Sequence, residues 1–164
     1  MLTDVLPKGL RLVVCGTAAS ARSAQIGAYY AGHGNKFWRT LHQTGLTPRQ
    51  LAPSEFRLLP QFGIGLTDIV KDQAGNDAVI RFEASGRERL REVILAAAPT
   101  YLCFNGKRAA IEYFGTRQVA YGLQAGTIGT TKIFIAPSTS GAANGAWDLT
   151  VWEELGRLVT ALRH

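Results

Sequence analysis

Along the chain, near-continuous apolar runs alternate with stretches whose apolar positions recur every three or four residues. The runs are LVVC (12–15), GIGLTDIV (63–70), TYLCFN (100–105) and TKIFIAP (131–137), each bounded by Gly, Pro or polar residues. Runs without polar alternation are how strands covered on both faces of a parallel sheet read. Between them, NKFWRTLHQTG predicts a helix with Phe37, Trp38 and Leu41 on one face, stopping at Gly45. SGRERLREVILAAAP predicts a longer one that gathers Leu90, Val93, Ile94 and Ala97 and ends before Pro99. GKRAAIEYFG predicts a short helix, and DLTVWEELGRLVTAL turns Val151, Leu155, Leu158, Val159 and Leu162 inward.

Strands alternating with helices predict a three-layer α/β/α sandwich around a central, mainly parallel sheet of four to five strands. No repeat, low-complexity tract or linker divides the chain, so residues 1–164 are read as a single domain. In open sheets of this kind, ligands bind beyond the carboxyl ends of the strands. The segments to search for chemistry are therefore 16–23, 67–71, 105–107 and 137–144.

Composition adjusts this picture modestly. The 164 residues are 46% hydrophobic, enough for a sizeable core, and 18 glycines suit close backbone approaches. A net charge of +6 points to an anionic partner, nucleic acid first among them. Cys15 and Cys103 lie inside apolar runs and read as buried thiols; two cysteines so spaced supply neither an iron–sulfur cluster nor a zinc site. No metal and no cofactor is expected. The opening LTDVLPKG is too short and too polar for a signal peptide, and no run reaches the roughly 18 apolar residues of a membrane span. The expectation is a soluble, cytoplasmic monomer with no membrane partner.

The loop Gly16-Thr17-Ala18-Ala19-Ser20 lacks the spacing of a dinucleotide fingerprint, and no P-loop lysine follows it. Ser20 and Ser138 are not set in a G-x-S-x-G elbow. Of three histidines, His42 reads as a surface helix residue, His33 as a turn residue, and His164 is terminal. One of Tyr29 and Tyr30 packs the core; the other could offer its ring to a planar ligand such as a base. Asn35 is either the N-cap of its helix or a functional amide. Asp68, at the end of a predicted strand, is either a turn or capping carboxylate or a site residue. Residues 137–145 could grip a phosphate through hydroxyls and backbone N–H groups, or form an ordinary Ser/Gly loop.

Four segments together carry a family resemblance: LPKGLRLVVCGTAASARSA, YYAGHGNKFWRTLHQTGLTPRQL, GLTDIVK and IFIAPSTSGAANG. In order and spacing the chain resembles the uracil-DNA glycosylase superfamily, nearest its mismatch-specific uracil/thymine and hypoxanthine branches. The resemblance implies a DNA-repair enzyme that flips a damaged base and hydrolyses its glycosidic bond. It implies base binding by Gly16, Thr17 and Ser20, stacking by Tyr30, and functional roles for Asn35 and Asp68. The last motif, Ser138 to Asn144, would hold the base and carry the wedge that fills the gap. Phosphate contacts are expected from Arg22, Ser23, Lys36, Lys107 and Ser140, beside Gly141, Ala142, Ala143 and Asn144.

The chain departs from its relatives in one telling way. Ala18 and Ala19 stand where several branches carry the Asn or Asp that positions water, and Ser138 stands where His or Asn often begins the last motif. Backbone N–H groups of the first loop can still stabilise a departing base. Asp68 then has two possible roles. It is protonated in an apolar pocket and reads the base, or it is ionised and faces the sugar and the water, with Asn35 helping. The second is favoured here. Rival readings are a non-catalytic lesion-binding relative and a small-molecule nucleoside hydrolase.

Overall fold

The four apolar runs become four parallel strands, and a fifth strand that the pattern did not announce joins them. The computed structural model describes residues 2–162, so His164 and the ends of the expected domain lie outside it. In chain order the strands are β1 (Leu12–Gly16), β2 (Ile64–Asp68), β3 (Tyr101–Asn105), β4 (Gly122–Ile128) and β5 (Thr131–Ala136). They form one sheet ordered β2-β1-β3-β5-β4, with only β4 antiparallel to its neighbour. The helices are α1 (Ala21–Ile26), α2 (Phe37–Gln43), α3 (Ala84–Ala97), α4 (Lys107–Phe114) and α5 (Leu149–Thr160).

Successive side chains of a strand point to opposite faces, so each buried strand feeds two cores. Leu12, Val14, Leu66, Cys103 and Phe134 pack one way, against Phe37, Trp38 and Leu41 of α2 and Trp152, Leu155 and Val159 of α5. Val13, Cys15, Leu102, Phe104 and Ile135 pack the other way, against Leu90 and Ile94 of α3 and Ala109 and Ala110 of α4. This is the three-layer arrangement expected. Trp152 is fully buried and donates from Nε1 to Pro137 O at 2.9 Å, fastening α5 to the segment after β5.

The elements absent from the sequence reading share weak patterns. β4 is an edge strand that is exposed or half-buried up to Thr127 and buries only Ile128, and its sequence GLQAGTI holds two glycines. α1 is six residues long and owes its start to Ser20, whose Oγ accepts the Ser23 N–H at 3.1 Å. Two 3₁₀ segments, Pro53–Phe62 and Gly141–Ala146, complete the chain. Among the described residues no helix is long and apolar enough to cross a membrane.

Candidate active site

The carboxyl ends of β1 and β2 come together first. Gly16 and Asp68 are register partners across the parallel pair, and Asp68 is 3% exposed. A Cβ on Gly16 would stand 2.7 Å from Asp68 Oδ1 and 3.1 Å from the Tyr30 hydroxyl. Two polar atoms therefore converge on the space that glycine leaves free. That is the physical reason for glycine here.

Tyr30 reaches this point at some cost. Its φ is +52°, a left-handed conformation that a bulky residue rarely adopts. Bonds on either side hold it there. The Ala31 N–H donates to Ser23 Oγ at 2.9 Å, and Trp38 Nε1 donates to Tyr29 O at 3.0 Å. The ring lies 4.1 Å from that of Phe37, centroid to centroid. Its hydroxyl is buried without a well-formed hydrogen bond. The amide of Asn105 beside it is committed to reciprocal 3.0 Å bonds with Thr139. Burial, and then the charge of Asp68, push the phenol far above its ordinary range.

Burial likewise raises the Asp68 carboxyl, from 3.8 to about 7, with Lys71 and Arg89 pulling it down and Asp4 pushing it up. Lys71 Nζ lies 3.7 Å from Asp68 Oδ2 and 3.2 Å from Asp4 Oδ1. Arg89 donates to the Asp68 carbonyl at 2.6 Å and to Asp4 Oδ2 at 2.8 Å, while Thr67 Oγ1 donates to Asp4 Oδ1 at 2.7 Å. Asp68 thus sits between a charged network on one side and the Gly16 backbone and Tyr30 hydroxyl on the other.

The first loop is strapped from its carbonyl side. Gly16 O, Thr17 O and Ala19 O accept the N–H groups of Ile69, Val70 and Gly75. The Thr17 hydroxyl donates to Asp77 Oδ1 at 2.7 Å, and Ser20 lies exposed beside Gly32. The last motif docks against the start of α2. The Lys36 N–H donates to Thr139 O at 2.8 Å, its ammonium bonds the Asn144 side chain and lies 5.1 Å from the Trp147 ring centroid, and Gly141 faces the Gly34 backbone. Ser138 is half-buried with its Oγ accepting the Ser140 N–H, and Ser140 Oγ accepts that of Ala142. Ala143 is half-buried, and Arg22 and Lys107 are exposed. Lys107 Nζ lies 4.5 Å from the Tyr121 ring centroid.

Two expectations change. Ser23 is 2% exposed, and its Oγ accepts from Ser20 Oγ and from the Ala31 N–H. A phosphate cannot reach it; its role is to hold the strained Tyr30 segment. Asn35 is not the N-cap of α2, a position Lys36 occupies; its Oδ1 accepts the Phe37 N–H at 2.9 Å in a local turn, and no hydrogen bond joins it to Asp68 among the described residues. Asp4, Lys71 and Arg89 went unnoticed because they lie 63 to 85 positions from their partners in some of these contacts, or in an unremarkable loop. The GLTDIVK motif did contain Lys71, one turn beyond Asp68.

A cavity of about 20 Å³ is lined by Asp68, Lys71, Ala19, Ala24 and Gln73 among others. That volume suits about one water molecule. A larger cavity of about 240 Å³ lies by the N-terminal end of α3, lined by Lys71, Arg81, Glu83 and Arg89 but by none of the expected site residues. Among the described residues no three His, Cys, Asp or Glu side chains are grouped to hold a metal.

The fold is that of a three-layer α/β protein with a buried carboxyl, Asp68, at the carboxyl end of one of its parallel strands. The family model described as the uracil DNA glycosylase superfamily matches residues 3–156, and the chain belongs to that superfamily. Its fold is similar to the solution structure of a "putative Uracil DNA glycosylase" from Methanosarcina acetivorans. The TM-score is 0.62 and the identity 22%, covering 97% of this chain and 96% of that one.

Proposed function

We propose that the protein is a DNA glycosylase that flips a deaminated base, uracil first, out of the helix and hydrolyses its N-glycosidic bond. The observation that carries this reading is the convergence of Asp68 Oδ1 and the Tyr30 hydroxyl over Gly16, in a chain of this superfamily. The carboxylate form of Asp68 holds and deprotonates a water. The water oxygen bonds to C1′ of the sugar, the glycosidic bond breaks, and its electron pair leaves with the base. An abasic site and a free base remain, with no covalent intermediate on the protein.

Support comes from Lys71, whose ammonium beside Oδ2 favours ionisation. Ala18 and Ala19 bring no carboxylate or amide to the first loop, which leaves Asp68 to do this work. Backbone N–H groups of residues 16–20 receive the negative charge on the departing base. The wedge of Ala142, Ala143 and Asn144 is small, which favours single-stranded substrate, where unstacking costs less.

The test is alkali-induced strand cleavage of oligonucleotides carrying uracil, hypoxanthine, xanthine or a mismatched thymine, with the wild type, Asp68→Asn and Asp68→Ala. Cleavage by the wild type at one of these bases, lost in both variants, is expected. Undiminished cleavage by both variants overturns the role of Asp68. Tight binding to lesion DNA without any cleavage would instead make the chain a lesion-binding relative.

A further inference from the structure

We propose that Lys71 is a positioning residue that sets the charge of Asp68, and that Asp4 limits it by competing for the same ammonium. The inference rests on the reading of Asp68 as the group that holds the water, and names what governs it.

The geometry is that of two carboxylates sharing one cation. The Lys71 side chain is mostly buried, and Nζ lies 3.2 Å from Asp4 Oδ1 and 3.7 Å from Asp68 Oδ2. It also donates to the Tyr29 hydroxyl at 2.9 Å, and that hydroxyl donates onward to Thr3 O at 2.9 Å. Lys71 is therefore held by groups outside the pocket and leans toward Asp4. Asp4 does not depend on it, since Thr67 Oγ1 and Arg89 Nη1 also donate to its two oxygens. The ammonium stands nearer Asp4 than Asp68 yet forms an ion pair with both.

Of the other groups that face Asp68, Arg89 alone is charged. From β1 comes Cys15, and from the segment before α2 come Tyr29 and Tyr30; burial pushes all three upward, so they are neutral near pH 7. From α3 comes Arg89, bonded to the Asp68 carbonyl and to Asp4 rather than to the Asp68 carboxyl. Lys71 and then Arg89 lower the carboxyl while Asp4 raises it, and Lys71 has the largest effect of the three.

The test is a carbon-13 NMR titration of the Asp68 carboxyl in the wild type, Lys71→Met, Lys71→Arg and Asp4→Asn, assigned with Asp68→Asn. The pH profile of single-turnover uracil release is measured alongside. Lys71→Met should raise the Asp68 midpoint by about one unit or more, Asp4→Asn should lower it, and Lys71→Arg should stay near the wild type. From a midpoint near 7, one unit upward cuts the ionised share at pH 7 from about half to about a tenth, a roughly five-fold slower release. A role in stability alone would slow the variants without opposite shifts. Midpoints unmoved in Lys71→Met and Asp4→Asn overturn the inference. If Lys71→Met does not fold, Asp4→Asn decides, together with the wild-type Lys71 Cε resonance, which must titrate in step with Asp68. The titration needs no turnover. Opposite shifts without base release refute the proposed glycosylase while the coupling stands, and base release that depends on Asp68 without the shifts refutes the coupling alone.

Discussion

Replacing Gly16 with alanine puts one methyl group into the space on which the site converges. The new Cβ would lie 2.7 Å from Asp68 Oδ1 and 3.1 Å from the Tyr30 hydroxyl, inside the roughly 3.5 Å at which non-bonded atoms attract. Gly16 lies in β1 and is not among the glycines with positive φ, so alanine brings no backbone strain and the effect is steric. Neither neighbour yields freely. Asp68 is anchored through its carbonyl to Arg89, and the Tyr30 ring is pressed against Phe37. Overpacking of this kind costs about 1–3 kcal/mol, which for a chain of this size lowers Tm by roughly 2–4 °C per kcal/mol.

The effect on catalysis should be larger than the effect on stability. Relief of the clash displaces the Asp68 carboxyl by several tenths of an ångström. A misplacement approaching 1 Å costs on the order of 100-fold in rate. Single-turnover uracil release and thermal melting are the assays, with Gly126→Ala as control, since nothing lies within 4 Å of a Cβ at that position. Combining Gly16→Ala with Asp68→Ala should recover part of the lost Tm, because truncation vacates the space the methyl needs. A Gly16→Ala protein that melts and turns over like the wild type would refute the convergence on which the site is built.

Three further outcomes follow from the same contacts. Asp68 titrates near 7 when folded against 3.8 as an ordinary carboxyl. The unfolded chain therefore loses this proton first, and the Asp68 contribution to stability falls between about pH 4 and 7, at up to about 1.4 kcal/mol per unit. Asp68→Asn removes that slope, so its Tm relative to the wild type should climb through this window and level off above pH 7; a difference that is flat with pH contradicts the buried carboxyl whose burial outweighs its pairing. Ser23→Ala leaves the Ala31 N–H without its acceptor and should cost about 1–3 kcal/mol by melting, with slower base release as Tyr30 loosens. Lys36→Ala should lower the slope of log affinity for DNA against log salt by about one and weaken binding to all sequences alike; an unchanged slope removes Lys36 from the phosphate track.

What the sequence made legible, and what it hid, divides along physical lines. β1, β2, β3 and β5 are buried on both faces, and burial leaves unbroken apolar runs that are read directly. β4 borders solvent, so its apolar content is thin, and α1 is too short for any periodicity to register. At the site, residues at strand ends could be found, because topology directs attention there: Gly16 and Asp68 end adjacent strands. The charges behind Asp68 could not. Asp4 precedes the first strand and Arg89 lies on the helix after the second, and only folding brings them to one carboxyl. Ser23 misled because a serine in a polar loop reads as a ligand contact, whereas its partners are the loop's own Ser20 and a backbone N–H eight residues on.

The two alanines of the first loop take on a different meaning in this light. Ala18 and Ala19 leave the first loop without the side chain that holds water in other branches, while Asp68 stands at the end of the neighbouring strand, in register with Gly16. In the proposed mechanism the carboxylate stands at the end of β2 rather than in the loop after β1. That placement has a consequence. Burial raises the Asp68 carboxyl, and with Lys71 and Arg89 lowering it the balance stands at about 7. In the proposed mechanism the cation behind it keeps part of it ionised, and Lys71 stands there. A chain that kept Asp68 but carried an apolar residue in place of Lys71 should hold about nine-tenths of its carboxyl protonated at neutral pH and release the base roughly five-fold more slowly.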